Sequence, residues 1–172
     1  MFNQYPIGVL TIQKPITNEQ IKNWIVEIDE APAQLKRAVE GLKKAQLATP
    51  YREGGWTLQQ VVHHMADSHL NAYTRIKLGL TENNPTIRPY DEKAWALLSD
   101  SGLSIEVSIE LLSSLHKRLV TLLQSLTEGE LKRTIQHPDN GTMTIAEVIG
   151  TYAWHGKHHI AHITTLRKHK NW

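Results

Sequence analysis

The chain contains no cysteine. This absence excludes disulfide bonds, thiolate metal sites and a thiol nucleophile of its own, so any metal must be held by nitrogen and oxygen ligands. No apolar run approaches the ~18 residues of a membrane-spanning helix, and the N-terminal residues lack the basic and apolar stretches of a signal peptide. We therefore expect a cytoplasmic protein that does not contact membranes.

The chain also lacks a large excess of either positive or negative charge. The net charge is +2 at pH 7, which gives no electrostatic case for binding nucleic acid or a membrane surface. The 172 residues are 40% hydrophobic, enough for one well-packed core, and no linker or repeat divides them. We expect a single domain over residues 1–172 that acts on a small-molecule substrate.

Four long amphipathic segments predict an all-α four-helix bundle of antiparallel type. They run from 17 to about 41, from 57 to about 81, from 104 to 126 and from 144 to at least 166. Capping boxes that begin at Thr17, Thr57 and Thr144 mark three of the starts, and Ser104 is placed to cap the third helix. Pro32 lies inside the first helix, where it removes one amide donor and should kink the chain.

The connections carry three further expectations. Residues 1–16 form an extended arm. Residues 82–103, with a short helix around 91–98, are long enough to cross the bundle, so the second and third helices should run parallel. Residues 133–137 and 142–144 flank a hairpin-type turn and are short strand candidates.

Histidine is the compositional anomaly, with ten in the chain. His155 and His159 are four apart, which stacks them about 6 Å apart along one helix face, in the middle of its apolar stripe. Burying two unpaired imidazoles costs roughly 1–3 kcal/mol each, and one shared metal ion would satisfy both. His162 also faces inward, as a supporting group or a substrate contact, while His158 lies at the edge of the stripe.

The second helix offers three histidines as a third ligand. His69 lies near the centre of its apolar stripe, whereas His63 and His64 lie on opposite flanks. Since each helix of a bundle touches two neighbours, either flank could face the fourth helix. Periodicity alone leaves this choice open.

Two motifs resemble those of a known family. Residues 55–67 read GWTLQQVVHHMAD and resemble the first motif of the DinB-like superfamily, in which a Trp before the second helix is followed eight residues later by a metal-binding His. Residues 155–163 read HGKHHIAHI and resemble the second motif, His-x3-His followed by a Gln-Ile-like pair. Here His162 stands where Gln is common, so its role is open.

The resemblance covers essentially the whole chain and is strongest to the YfiT branch, a group of metal-dependent hydrolases from bacilli. It implies a DinB-like four-helix bundle that forms a homodimer. Residue by residue, it implies His64, His155 and His159 as the three ligands of one divalent metal ion per subunit, zinc or nickel.

Three functions fit such a site. Zinc with three protein ligands keeps an open position and activates a bound water, which implies a hydrolase. A low-molecular-weight thiol would instead be deprotonated on the metal, and the superfamily includes transferases that use bacillithiol or mycothiol. The third possibility is a structural metal, with His162 or His63 as a fourth ligand.

The remaining polar residues give weaker expectations. Asp67 could orient a ligand or form an ion pair with Arg75, rather than act as a general base. Five side chains could line a cleft over the metal: His69, Asn71, Arg75, Tyr90 and Asp91. Solvation of the helix surface or loop packing is nonetheless the favoured interpretation for the last four.

Overall fold

The computed structural model describes residues 4–172, so the first three residues of the expected arm lie outside the described part of the chain. Four long helices form the body of the molecule: α1 (Asn18–Val39), α3 (Leu58–Thr81), α5 (Ile105–Gln124) and α7 (Ile145–Lys170). The shorter elements are α2 (Lys44–Leu47), α4 (Glu92–Trp95), α6 (Glu128–Leu131), a 3-10 turn at Ser99–Gly102, β1 (Thr134–His137) and β2 (Gly141–Thr144). The predicted all-α bundle is confirmed, and no described helix is long and apolar enough to span a membrane.

The predicted helix starts are confirmed at three of the four long helices. In each, a Thr hydroxyl accepts from the amide three residues on, and the side chain there accepts from the Thr amide; the boxes begin at Thr17, Thr57 and Thr144. The expected cap by Ser104 is wrong, because its hydroxyl donates to the Glu106 carboxylate and makes no bond to a helix amide. The first helix ends at Val39, just before the predicted boundary.

The four long helices contact one another in the ring order α1, α5, α3, α7. His63 near the start of α3 bonds Ser108 near the start of α5, and His69, further along α3, contacts His116. These two helices are therefore parallel, which confirms the predicted crossover. The antiparallel pattern holds for α3 against α7, but α1 and α7 are also parallel, because the crossover returns the chain to the end of the bundle where α3 began.

The two strand candidates form an antiparallel hairpin. Thr134 pairs with Thr144, and His137 pairs with Gly141, whose φ of 72° suits glycine at the turn. The amide of Ile87 donates to the carbonyl of Gln136 (2.9 Å). This bond ties the hairpin to the crossover, so both connections meet on one side of the bundle.

The apolar core is divided into two clusters. One contains Ile28, Ile76 and Leu119, and the other contains Leu35, Met65 and Leu112. Between them lie His69 and His116, with side chains 0% and 1% exposed. A layer of buried polar rings thus crosses the middle of the bundle.

The apolar spacing of the third long helix predicts a buried stripe of Val107, Leu111, Leu115, Leu119, Leu122 and Leu126, and this prediction is partly wrong. Val107 and Leu111 are 51% and 46% exposed. The buried face of α5 instead carries Ser108, Leu112 and His116. Polar residues occupy core positions there because they bond partners on α3 and α1, which hydrophobic periodicity does not register.

Candidate metal centre

The antiparallel contact between α3 and α7 brings His64 against His155 and His159. One ring nitrogen from each lies within 4.8 Å of the others, and the Nε2 atoms of His64 and His155 are 3.2 Å apart. Two nitrogens bonded at about 2.1 Å to one ion, at angles of roughly 90–110°, lie about 3.0–3.4 Å apart. The spacing of this ligand group (His64, His155 and His159) therefore fits a shared metal ion.

The electrostatics of the ligand group favour neutral imidazoles. Burial, followed by the neighbouring histidines, lowers the pKa of His64 to about 4 and the pKa values of His155 and His159 well below the ordinary value. Neutral rings keep a lone pair for a metal at neutral pH. Three imidazole nitrogens without a thiolate suit a divalent first-row transition metal ion.

His159 adds a further observation in favour of a ligand. Its Nδ1 atom is buried and has no hydrogen-bond partner among the described residues. A buried polar atom without a partner costs free energy. A metal bonded to this nitrogen would offset that cost. The Nδ1 atoms of His158 and His162 are buried without a partner in the same way, so this observation fits an ion in either histidine group.

His63 lies on the other flank of α3, against α5. Its Nδ1 contacts the Ser108 hydroxyl (2.7 Å) and its Nε2 the Leu103 carbonyl oxygen (3.1 Å). Both ring nitrogens are therefore occupied. The structure brings His64, and not His63, to the pair on α7; the ligand role of all three remains a prediction.

His158 and His162 form a second group with His159, again with nitrogens within 4.8 Å of one another. His162 is held by the Gln4 carbonyl oxygen at its Nε2 (2.9 Å) and stacks on Tyr51 with ring centroids 3.9 Å apart. The inward orientation expected for His162 is thus confirmed. Its Nε2 is thus occupied by a backbone oxygen, while its Nδ1 is buried without a hydrogen-bond partner among the described residues.

His155 continues into a chain of buried histidines. Its Nδ1 lies 3.2 Å from Nε2 of His69, and Nδ1 of His69 lies 2.8 Å from Nε2 of His116. The Nδ1 of His116 contacts the Ile28 carbonyl oxygen at 2.6 Å. His116 is not among the residues predicted from the sequence, although it lies four residues after Leu112 on the buried face of α5.

A cleft of about 600 Å³ opens beside the ligand group. Its lining includes Ser68, Arg75, Tyr90, Asp91, Glu92, His137, Asp139, Tyr152 and His155. Arg75, Tyr90 and Asp91 therefore line the cleft, contrary to the favoured interpretation that they only solvate or pack. Asn71 does not belong to this lining and bonds the Asp67 carbonyl oxygen (2.9 Å). His69 lies beneath the cleft in the buried chain.

Arg75 and two tyrosines give the cleft its polar wall. The guanidinium of Arg75 donates to the Tyr152 hydroxyl (3.0 Å) and the Arg88 carbonyl (3.4 Å). The expected ion pair between Arg75 and Asp67 is absent from the described residues. Burial raises the pKa of Tyr90 to about 12 and also raises the pKa of Tyr152. Both hydroxyls therefore keep their protons at neutral pH.

Several known proteins are similar to this chain in sequence. A sequence model described as the DinB superfamily matches residues 27–163. A protein of Bacillus cereus strain AH820 named "Putative metal-dependent hydrolase" is 56% identical over 169 residues, 98% of each chain. A protein of Bacillus anthracis strain A0248 with that name shows the same identity and coverage.

A solved structure extends the comparison to the fold. YfiT from Bacillus subtilis superposes with a TM-score of 0.95 at 50% identity, over 98% of each chain, and is described as "a probable metal-dependent hydrolase with an unusual four-helix bundle topology". The parallel pairs of the present bundle are one such departure from the alternating pattern. Together, the sequence match and the shared fold show that the chain belongs to the DinB superfamily.

Proposed function

We propose that this protein is a metal-dependent hydrolase in which His64, His155 and His159 hold one divalent ion, zinc or nickel, per chain. The observation that carries the proposal is the convergence of three neutral imidazoles with ring nitrogens within 4.8 Å of one another, one of which, His155, lines an open cleft. The names of the Bacillus relatives support the same activity class. A bound ion supplies a Lewis acid and lowers the pKa of a water bound to it.

The cleft residues then bind and orient the substrate. Arg75 presents a fixed positive charge, and Tyr90 presents a hydroxyl that stays protonated, so both can donate to negative charge that develops on a carbonyl or phosphoryl oxygen. Among the carboxylates of the cleft, Asp91 is occupied because its Oδ1 accepts from two amides of α4. Burial raises the pKa of Glu92 above its ordinary value.

The ligand group contains no carboxylate that could act as a general base, and this favours thiol transfer as a second candidate function. A thiol bound to a metal is deprotonated without a general base. A low-molecular-weight thiol as co-substrate would therefore use this site for S-transfer. A purely structural metal closed by His63 is less favoured, since both of its ring nitrogens are occupied. His162 keeps a buried Nδ1 without a partner among the described residues, so it stays the candidate fourth ligand of a structural site.

The proposal includes a cytoplasmic homodimer. Leu103, Val107 and Leu111 lie near or on α5 and are 46–51% exposed. This apolar face suits a second copy of the chain. Leu111→Lys should yield a monomer by light scattering; a wild-type monomer, or a dimer that persists in the variant, would contradict this part.

Turnover assays separate the three functions. The metal-loaded protein is offered activated esters and amides, with and without added thiol, beside a His155→Ala control. Turnover without thiol that is lost in the control supports hydrolysis, and turnover that requires thiol supports transfer. No turnover in either assay, with metal that affects only thermal stability, would contradict both catalytic functions.

A further inference from the structure

The buried end of the histidine chain is a backbone carbonyl. In an α-helix the amide of residue 32 donates to the carbonyl of residue 28, but Pro32 has no amide proton. The Ile28 carbonyl is left without that donor, and Nδ1 of His116 lies 2.6 Å from its oxygen. Because a carbonyl oxygen only accepts, this nitrogen of His116 must carry the proton.

The direction of every other bond follows from this first one. The chain has three contacts, Ile28 to His116, His116 to His69 and His69 to His155, and each contact holds one proton. Three rings with one proton each supply three protons, so each ring is neutral and is protonated at Nδ1. The Nε2 of His155 is then left with its lone pair, and it faces Nε2 of His64 at 3.2 Å.

We propose that Pro32, His116 and His69 are positioning residues that fix His155 in the Nδ1–H tautomer, so that its Nε2 is always available to the metal. The proposal builds on the proposed metal site, but the tautomer it assigns belongs to the protein without metal. A ligating histidine commonly donates its other nitrogen to a carboxylate, a carbonyl or water. Here the acceptor for His155 is the imidazole of His69, which in turn donates to His116. His116 donates to the Ile28 carbonyl, which lacks its helical donor because residue 32 is proline.

The surroundings of His155 agree with this direction. The Ser68 hydroxyl lies 3.3 Å from Nε2 of His155, where it can donate to the lone pair. The two inner rings of the chain are 0% and 1% exposed. Water therefore does not compete for their nitrogens. With His116 protonated at Nδ1, any other set of neutral tautomers would leave at least one ring–ring contact with two lone pairs and no proton.

The test uses the full-length, metal-free protein labelled with 15N histidine. Long-range 1H–15N spectra distinguish the protonated from the unprotonated ring nitrogen, and single histidine variants assign the signals. His155, His69 and His116 should all show a protonated Nδ1 and an unprotonated Nε2. A protonated Nε2 on any of the three overturns the proposal, whether or not the protein binds metal.

His116→Phe extends the test to metal binding, because this residue does not contact His155 in the chain of bonds. We expect a mixture of tautomers at His155 and a loss of zinc affinity of about tenfold, in the range for residues that support a ligand. His63→Phe is the matched control, a buried histidine outside the chain, and should leave both readouts unchanged. An unchanged tautomer at His155 in folded His116→Phe overturns the proposal. If the wild type binds no zinc while the tautomers are as stated, the proposed function fails and the tautomer assignment stands.

Discussion

The two flanks of α3 are marked by adjacent residues, His63 and His64, but these two histidines have different hydrogen-bond partners. On the flank toward α5, His63 has a hydroxyl at one nitrogen and a carbonyl at the other. On the flank toward α7, His64 has its Nε2 against the Nε2 of another histidine. The first arrangement is complete as it stands and joins two helices. The second brings together ring nitrogens that have only one another as partners and that a cation could bind. The hydrogen-bond partners therefore distinguish a structural histidine from a candidate ligand.

Acid should have the largest effect, because it acts on the buried histidines on and beside the α7 flank. Burial holds the pKa values of His69, His155 and His159 well below the ordinary value, so below pH 6.5 the unfolded chain binds protons that the folded chain refuses. Each group then lowers the free energy of unfolding by about 1.4 kcal/mol per pH unit, and the three together lower it by about 4 kcal/mol per pH unit. Urea unfolding of the protein freed of metal by a chelator, measured from about pH 7.5 to 5, should show the free energy of unfolding decreasing below pH 6.5. A flat profile would contradict neutral, buried ligands.

Removal of a ligand should have the next largest effect. If about 10 kcal/mol of metal binding is shared by three ligands, His64→Ala loses about 3 kcal/mol, or at least a hundredfold in affinity. His63→Ala should bind zinc as the wild type does. Competition titration with a chromophoric chelator measures both. Equal affinities in the two variants would remove the distinction between the flanks.

Metal should stabilise the chain only when the α7 flank is intact. At a free zinc concentration of a hundred times Kd the gain is about 2.7 kcal/mol, which corresponds to a rise in Tm of roughly 5–11 °C for a chain of this size. Calorimetry should show this rise in the wild type and in His63→Ala, and little or none in His64→Ala. A rise of the same size in all three proteins would place the metal elsewhere.

Loss of a partner on the α5 flank should have the smallest effect. Ser108→Ala leaves Nδ1 of His63 buried without its partner, which costs about 1–3 kcal/mol. Zinc affinity should not change, because this contact faces away from the ligand group. Urea unfolding and the chelator titration give the two values. A weakened zinc site would show that the flanks are coupled.

Much of the fold follows from local sequence. The Thr17, Thr57 and Thr144 boxes locate helix starts, because the cap and its partner lie within four residues of each other. The length of residues 82–103 predicts the crossover. The buried face of α5 is less accessible to such reasoning, since Ser108 and His116 occupy core positions by virtue of partners on other helices.

The site follows from sequence in part. The spacing of His155 and His159 places them on one helix face, but the choice of His64 over His63 depends on which neighbour each flank of α3 meets. The role of Pro32 could not be predicted from a kink alone, because the donor for the carbonyl it frees comes from α5. The lining of the cleft could not be predicted from the sequence either, because Arg75, Tyr90 and His137 come together only when the crossover and the hairpin have folded against α3.

An anomalous difference map from crystals of the zinc-loaded protein tests the central claim most directly. The proposed site predicts one strong peak per chain, about 2.0–2.1 Å from a nitrogen of each of His64, His155 and His159. A principal peak among His158, His159 and His162, or one bonded to His63, would contradict it.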